Sequence, residues 1–110
     1  MPNEYKVKIT QQAQSQLSEI VAYISSTLQA PATAKSMLDT LQREIISLKE
    51  FPNRVPLVDE EPWCAQGIHK LGIKNYFIYF WVDESAKRVQ VFAVVFVRRD
   101  QRQFLSELDI

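Results

Sequence analysis

The sequence predicts an α+β fold in which a helical hairpin packs on an antiparallel β-sheet, with elements in the order β-α-α-β-β-β. Two amphipathic helical segments in the N-terminal half are separated by only a few residues. Three strand-like runs fill most of the C-terminal half, and their short connections favour antiparallel pairing. A chain of 110 residues has room for one such core, so we expect residues 1–110 to form a single domain.

The first predicted strand covers residues 5–10, where lysines alternate with apolar side chains. Thr10 then precedes a helix over residues 11–29, and its hydroxyl is suited to accept a hydrogen bond from the first helical turn. Apolar residues recur in this helix at steps of three and four: Ala13, Leu17, Ile20, Val21, Ile24 and Leu28. This stripe is the face that we expect to pack against the rest of the domain.

The second helix is predicted over residues 31–50, and Pro31 suits its first turn. Its apolar positions form a matching seam: Ala34, Leu38, Leu41, Ile45 and Leu48. The very short connection makes the two helices antiparallel neighbours. Pro52 ends the second helix because proline cannot continue it, and an acidic, irregular loop follows up to Pro62.

The three predicted strands cover residues 63–71, 74–82 and 88–97. The second and third are apolar on both faces, which is typical of central strands that are covered on both sides. The helical hairpin covers one face. For the other face the sequence leaves three sources of cover: a few loop side chains, the tail after Asp100, which can form a last short helix, or another chain.

Composition narrows the function classes. Thirteen basic and thirteen acidic side chains cancel, so bulk charge gives no argument for nucleic acid or membrane binding. Cys64 is the sole cysteine, which favours a reducing compartment, and no stretch resembles a signal peptide or reaches membrane-spanning length. We therefore expect a cytoplasmic protein with no membrane association. His69 is the sole histidine and has no partner at metal-ligand spacing, so we expect no metal and no cofactor.

Four stretches carry a resemblance to a known family. They are residues 5–10 with the start of the first helix, LKEFPNR at 48–54, GIHKLGIKNYFIY at 67–79 and VVFVRRD at 94–100. In order and spacing, over nearly the whole chain, they resemble the RelE/ParE superfamily of toxins from bacterial type II toxin–antitoxin modules. The resemblance implies the RelE/ParE-like fold and a hetero-oligomer with a cognate antitoxin, which wraps the toxin with an extended segment and a helix.

The resemblance leaves three activities open. RelE-like members cleave messenger RNA on the ribosome, and this is the leading interpretation. ParE-like members act on DNA gyrase and need no nuclease chemistry, and a third alternative is an inert relative. His69 and Lys70 stand where the family usually has an arginine, and Phe96 stands where many nucleolytic members have histidine or tyrosine. These departures count against cleavage.

RNA cleavage requires cations that hold the scissile phosphate and stabilise added negative charge. The residues matched to such roles are Lys70, Arg98 and His69 as catalytic candidates, and Arg54, Lys74 and Arg99 as substrate-binding candidates. By strand alternation, His69 and Lys70 point to opposite faces, so we expect Lys70 to be the one that reaches a substrate.

Each candidate also has a purely structural interpretation. His69 is compatible with a half-buried strand position, and the two lysines with a role in keeping a sheet edge hydrated. Arg54 is as well placed to bond to the end of the second helix as to contact a substrate. The arginines after the last strand are compatible with its exit into solvent.

Overall fold

The computed structural model describes residues 4–96. Its helices and strands are β1 (Lys6–Ile9), α1 (Gln11–Ala22), α2 (Pro31–Ile46), β2 (Ile68–Ile73), β3 (Tyr76–Asp83) and β4 (Arg88–Phe96). The α+β fold and its β-α-α-β-β-β order are confirmed. By its sequence, the tail after Asp100 can form a last short helix and cover the second face of the sheet. This tail lies outside the described residues.

The helical hairpin begins and ends largely as the sequence predicts. The Thr10 hydroxyl accepts a hydrogen bond from the backbone N–H of Ala13 at 3.2 Å, and Pro31 is the first residue of α2. The predicted first helix is less regular at its end, because a π-helical turn over Tyr23–Thr27 follows α1. Within residues 4–96, no helix combines the length and apolar character needed to cross a bilayer.

The four strands lie in the order β1-β4-β3-β2, which confirms that β3 and β4 are central and adjacent. The pairs β2–β3 and β3–β4 are antiparallel, as their short connections predict. However, β1 pairs with β4 in parallel, so the sheet is mixed rather than wholly antiparallel. No tight turn joins β1 to β4, and the antiparallel rule for short connections therefore does not apply to this pair.

The first of the three C-terminal strands begins later than expected. The sequence predicts a strand over residues 63–71, but β2 starts at Ile68. The preceding residues form tight turns, in which the N–H groups of Cys64 and Gln66 donate to the carbonyls of Glu60 and Pro62 at 2.9 and 3.1 Å. These local hydrogen bonds replace the strand pairing that the apolar residues at 63 and 64 suggested.

The main core lies between the hairpin and one face of the sheet. It is formed by buried side chains from both helices, from the turn after α2 and from the two central strands: Ala13, Leu17, Leu41, Ile45, Leu48, Ile78, Phe80, Val89, Val91 and Val94. On β1, Val7 and Ile9 pack against this core, whereas Lys6 and Lys8 are exposed. The predicted alternation of lysine and apolar side chains along β1 is thus confirmed.

A second, smaller core lies on the opposite face of the sheet. We call residues 55–67 the strap, because this segment crosses that face and is tied to the edge strand β2. The Val58 N–H donates to the Ile68 carbonyl at 2.9 Å, and the Lys70 N–H donates to the Pro56 carbonyl at 3.1 Å. Strap side chains pack on the sheet in a cluster of Val58, Trp63, Cys64, Ile68, Phe77, Tyr79, Phe92, Ala93 and Val95. Loop side chains of the same chain therefore cover part of the second apolar face.

Candidate functional site

We call the side of the sheet that faces away from the hairpin the open face. An irregularity in β4 shapes it: the pairing shifts from Tyr79 opposite Ala93 to Phe80 opposite Val91, which leaves Phe92 as an extra residue. Phe92 and Ala93 consequently both belong to the cluster beneath the strap. Such bulges twist a strand and redirect its side chains, and here the effect is to add an aromatic ring to the open face.

His69 lies on the hairpin side of β2. Its ring is 7% exposed and stacks on Phe80 with a centroid distance of 4.8 Å and an interplanar angle of 5°. The Nδ1–H group donates a hydrogen bond to the Val55 carbonyl at 2.7 Å. This placement agrees with a packed structural histidine, and the catalytic role stays a prediction without support from the geometry.

Lys70 lies on the open face, opposite Tyr79, as strand alternation predicts. Its Nζ atom sits 4.6 Å from the centre of the Phe77 ring, a distance at which an ammonium group is attracted to the face of an aromatic ring. Lys70 is therefore the candidate that reaches the open face, but its charge is already directed at a ring of its own chain.

Two substrate-binding candidates, Arg54 and Lys74, lie within the described residues. Arg54 is hydrogen-bonded to backbone carbonyls, and Lys74 lies in a turn between two strands. Arg54 donates from Nη1 to the carbonyls of Glu50 and Phe51 at 2.6 and 3.1 Å, which stabilises the turn after α2. Lys74 is exposed in the β2–β3 turn, where its φ is 57°. Arg98 and Arg99 lie outside the described residues. Of the four candidates within residues 4–96, His69 and Lys70 lie on opposite faces of β2, Arg54 lies in the turn after α2 and Lys74 in the β2–β3 turn, so these four do not form one phosphate-sized site.

The strap places negative charge over the open face. Burial raises the pKa of the Tyr79 hydroxyl, and the nearby Glu60 carboxylate raises it further. The Oε1 atom of Glu60 is itself buried and has no hydrogen-bond partner among residues 4–96. With Asp59 and Glu61 beside it in sequence, Glu60 makes the strap an acidic cover.

A cleft on the open face was not predicted from the sequence. It has a volume of about 410 Å³ and is lined by Thr10, Gln12, Gln66, Ile68, Trp81, Gln90 and Phe92. We call it the Trp81 cleft, because Trp81 is the largest of its lining residues and is 40% exposed. The sequence signal is the pair of aromatics at alternate positions of β3, Tyr79 and Trp81, but a strand predicted over residues 63–71 does not foresee that Gln66 lines a cleft.

A second concavity lies between the end of the hairpin and the end of the sheet. This groove has a volume of about 600 Å³, and its lining residues are Glu19, Ile20, Tyr23, Ile24, Leu28, Thr33, Met37, Asn75, Tyr76 and Phe96. Tyr23 and Leu28 are 54% and 55% exposed, which is unusual for two large apolar side chains so close together. We call it the hairpin groove. Its apolar lining suits a protein partner rather than a charged ligand.

Metal chemistry has no candidate centre in the part of the chain that the structure describes. No group of three or more histidine, cysteine, aspartate or glutamate side chains lies there in an arrangement that could hold a metal ion.

Comparison with known proteins identifies the family. A model of the ParE toxin of type II toxin–antitoxin systems matches residues 7–103. The chain belongs to the ParE toxin family. No protein of curated function matches the sequence at a significant level. The match spans most of the chain and confirms the resemblance to the RelE/ParE superfamily.

Solved structures show the same fold at low sequence identity. The chromosomal ParDE system from P. aeruginosa superposes with a TM-score of 0.71 at 19% identity, covering 86% of this toxin and 98% of that chain. The RelBE2 toxin–antitoxin complex from Mycobacterium tuberculosis gives 0.59 at 17%, covering 84% and 91%. The intact E. coli RelBE complex gives 0.58 at 15%, covering 86% and 99%. ParE-like and RelE-like toxins therefore share this architecture, and fold alone does not separate their activities.

Proposed function

We propose that this toxin arrests growth by binding a protein target, DNA gyrase in the first instance, and not by cleaving messenger RNA. Its place as the toxin of a type II toxin–antitoxin system follows from the family. The observation that carries the choice of target is the composition of the open face: aromatic and amide side chains under an acidic strap.

The cations that cleavage needs are poorly placed for it within residues 4–96. A phosphate-binding site concentrates lysine and arginine side chains with free donors. Lys70 lies over the Phe77 ring, and the Arg54 guanidinium donates to two backbone carbonyls. His69 donates to a carbonyl on the hairpin side and is nearly inaccessible, so it supplies no general base to the open face.

The strap also works against a polyanionic ligand. A strand of RNA approaching the open face would meet Asp59, Glu60 and Glu61, and like charges in a partly buried setting raise the energy of the complex. A protein surface brings no such uniform charge. This difference supports the ParE-like alternative over the RelE-like interpretation that the sequence favoured.

The hairpin groove is our proposed site for the cognate antitoxin. Several of the structural neighbours are toxin–antitoxin complexes, which supports an antitoxin partner for this chain. An antitoxin helix with an apolar stripe would bury Tyr23, Leu28 and Phe96, which are exposed large side chains that line this groove. The resulting assembly is a hetero-oligomer of toxin and antitoxin.

Induced expression in bacterial cells tests the proposed function. We expect growth arrest with a DNA-damage response, intact messenger RNA, and inhibition of gyrase supercoiling by the purified toxin. The double variant Lys70→Ala with Arg98→Ala should keep the arrest, because a protein interface of this kind does not depend on phosphate-binding cations.

Two outcomes would contradict the proposed function. Cleaved messenger RNA and loss of arrest in the double variant would restore the nuclease interpretation. Normal growth on strong expression of the intact toxin would instead indicate an inert relative.

A further inference from the structure

The Trp81 cleft contains polar groups without a partner. The indole N–H of Trp81 and the side-chain amides of Gln66 and Gln90 make no hydrogen bond to any described residue, whereas the Gln12 amide donates to the Phe92 carbonyl at 2.7 Å. Trp81, which is 40% exposed beside these amides, can offer stacking area and a hydrogen bond together. This combination is the one that recurs in protein-binding surfaces.

A glycine joins the strap to β2 beside the cleft. Gly67 turns the strap into β2 with a φ of 82°, a conformation that residues with a side chain rarely adopt. A Cβ atom at this position would lie 3.7 Å from Cδ1 of Trp81. That distance is an ordinary van der Waals contact, so the positive φ, and not the space beside the indole ring, favours glycine at this position.

The charges around the cleft define what it can hold. Its lining residues carry no ionised side chain, so it lacks the cations that a nucleic-acid backbone requires. Lys8 pairs with Gln90 in the sheet and is exposed on the same side, and the strap contributes the neutral Gln66 to the lining. Complementarity therefore favours a peptide segment with an apolar or aromatic side chain at its centre and an acidic residue towards β1.

We infer that the Trp81 cleft is the surface by which the toxin holds its protein target, through an extended segment that places one apolar side chain against Trp81, Ile68 and Phe92. Amide groups of that segment bond to the indole N–H and to Gln66 and Gln90, and its acidic residue pairs with Lys8. The inference rests on the proposed function. It separates two surfaces on one small domain: the target in the Trp81 cleft and the antitoxin in the hairpin groove.

Purified DNA gyrase is the probe. We expect Trp81→Ala to raise the toxin concentration for half-maximal inhibition of supercoiling by about 10-fold to 100-fold, the range typical of a central aromatic contact. Gln90→Leu, which keeps the side-chain volume and removes the amide, should raise it by about 5-fold. Lys8→Glu should weaken inhibition in the same direction, whereas Lys35→Glu, an exposed lysine on α2, should not.

Leu28→Ala is the matched control, because it removes an exposed apolar side chain from the hairpin groove. It should leave gyrase inhibition unchanged and weaken antitoxin binding. The variants Trp81→Ala, Gln90→Leu and Lys8→Glu should weaken gyrase inhibition and leave antitoxin binding unchanged. Thermal unfolding midpoints close to that of the unaltered toxin show that each variant is folded. Gln90 is exposed, so Gln90→Leu tests the cleft even if Trp81→Ala unfolds.

The outcomes separate the two proposals. If the unaltered toxin inhibits gyrase and the folded cleft variants inhibit it equally well, the cleft inference is wrong and the proposed function stands. If the cleft variants lose antitoxin binding and keep gyrase inhibition, the occupant is the antitoxin and the inference is again wrong. If the unaltered toxin leaves gyrase active and cuts messenger RNA, the proposed function fails first.

Discussion

His69 and Lys70 are neighbours in β2 whose side chains meet very different surroundings. His69 fills a place in the core against Phe80, and its N–H group satisfies the carbonyl of Val55 at the start of the strap. Lys70 lies on the other face over an aromatic ring. One residue of the pair thus packs in the core, and the other lies on the open face with its ammonium group over the Phe77 ring.

The structural role of His69 gives the prediction at this scale. His69→Ala should lower the free energy of unfolding by about 2–4 kcal/mol, because it removes a buried ring and leaves a partly buried carbonyl unbonded. Urea denaturation measures the change, and Lys35→Ala, on an exposed face of α2, should alter stability by less than about 0.5 kcal/mol.

Growth arrest per folded molecule should be the same for His69→Ala as for the unaltered toxin. A variant that is fully stable and yet inactive would show that His69 acts in chemistry rather than in packing.

At the scale of elements, two glutamines of α1 fasten the hairpin to the sheet. β1 pairs with β4 only as far as Val91, so the rest of β4 has an open edge. The Gln16 side-chain oxygen accepts from the Val94 N–H at 2.8 Å, and the Gln12 amide donates to the Phe92 carbonyl at 2.7 Å. Side chains of α1 therefore take over the hydrogen bonding that a neighbouring strand would supply.

Gln16 gives the prediction at the scale of elements. Gln16→Ala should lower the free energy of unfolding by about 1–3 kcal/mol, because the Val94 N–H loses its acceptor. Gln16→Glu keeps an acceptor oxygen at the same position and should recover most of the loss. Chemical denaturation of both variants measures these changes. If Gln16→Ala were as stable as Gln16→Glu, water would replace the side-chain acceptor without cost.

The whole molecule presents its two concave surfaces in different chemical settings. The hairpin groove is apolar and is bounded by Tyr23 and Leu28, whereas the Trp81 cleft combines an aromatic ring with amides. Since the two have no lining residue in common, the surfaces that we propose for the antitoxin and for the target do not overlap. Neutralisation would then act through steric cover by the rest of the antitoxin or through the shared sheet between them.

The hairpin groove supplies the prediction for the whole molecule. Addition of the cognate antitoxin should raise the thermal midpoint of the toxin in proportion to the logarithm of antitoxin concentration, because the antitoxin binds only the folded state. Tyr23→Ala with Leu28→Ala should weaken antitoxin binding by about 10-fold to 1,000-fold.

Ile46→Ala is the control for the groove, since Ile46 is an equally exposed apolar residue outside it and should leave antitoxin affinity unchanged. Unaltered affinity in the double variant would place the antitoxin elsewhere on the toxin.

The sequence by itself determined the local features of this toxin. Period-two and period-3.6 patterns predicted β1, the hairpin and the two central strands, and Thr10 and Pro31 marked the starts of the helices. Alternation along β2 also placed His69 and Lys70 on opposite faces. Each of these features depends on residues that are close together in the sequence, so the local sequence pattern is enough to predict it.

Only the tertiary structure decided the features that join distant parts of the chain. The parallel pairing of β1 with β4, the strap over the open face, and the Trp81 cleft each bring together segments separated by tens of residues. Residues 63–67 of the strap are predicted as part of a strand, but Trp63 and Cys64 instead pack in the cluster with Tyr79 and Phe92 on the open face of the sheet. Apolar composition predicts that a side chain will be buried, whereas the direction from which it is covered depends on the packing of the whole fold.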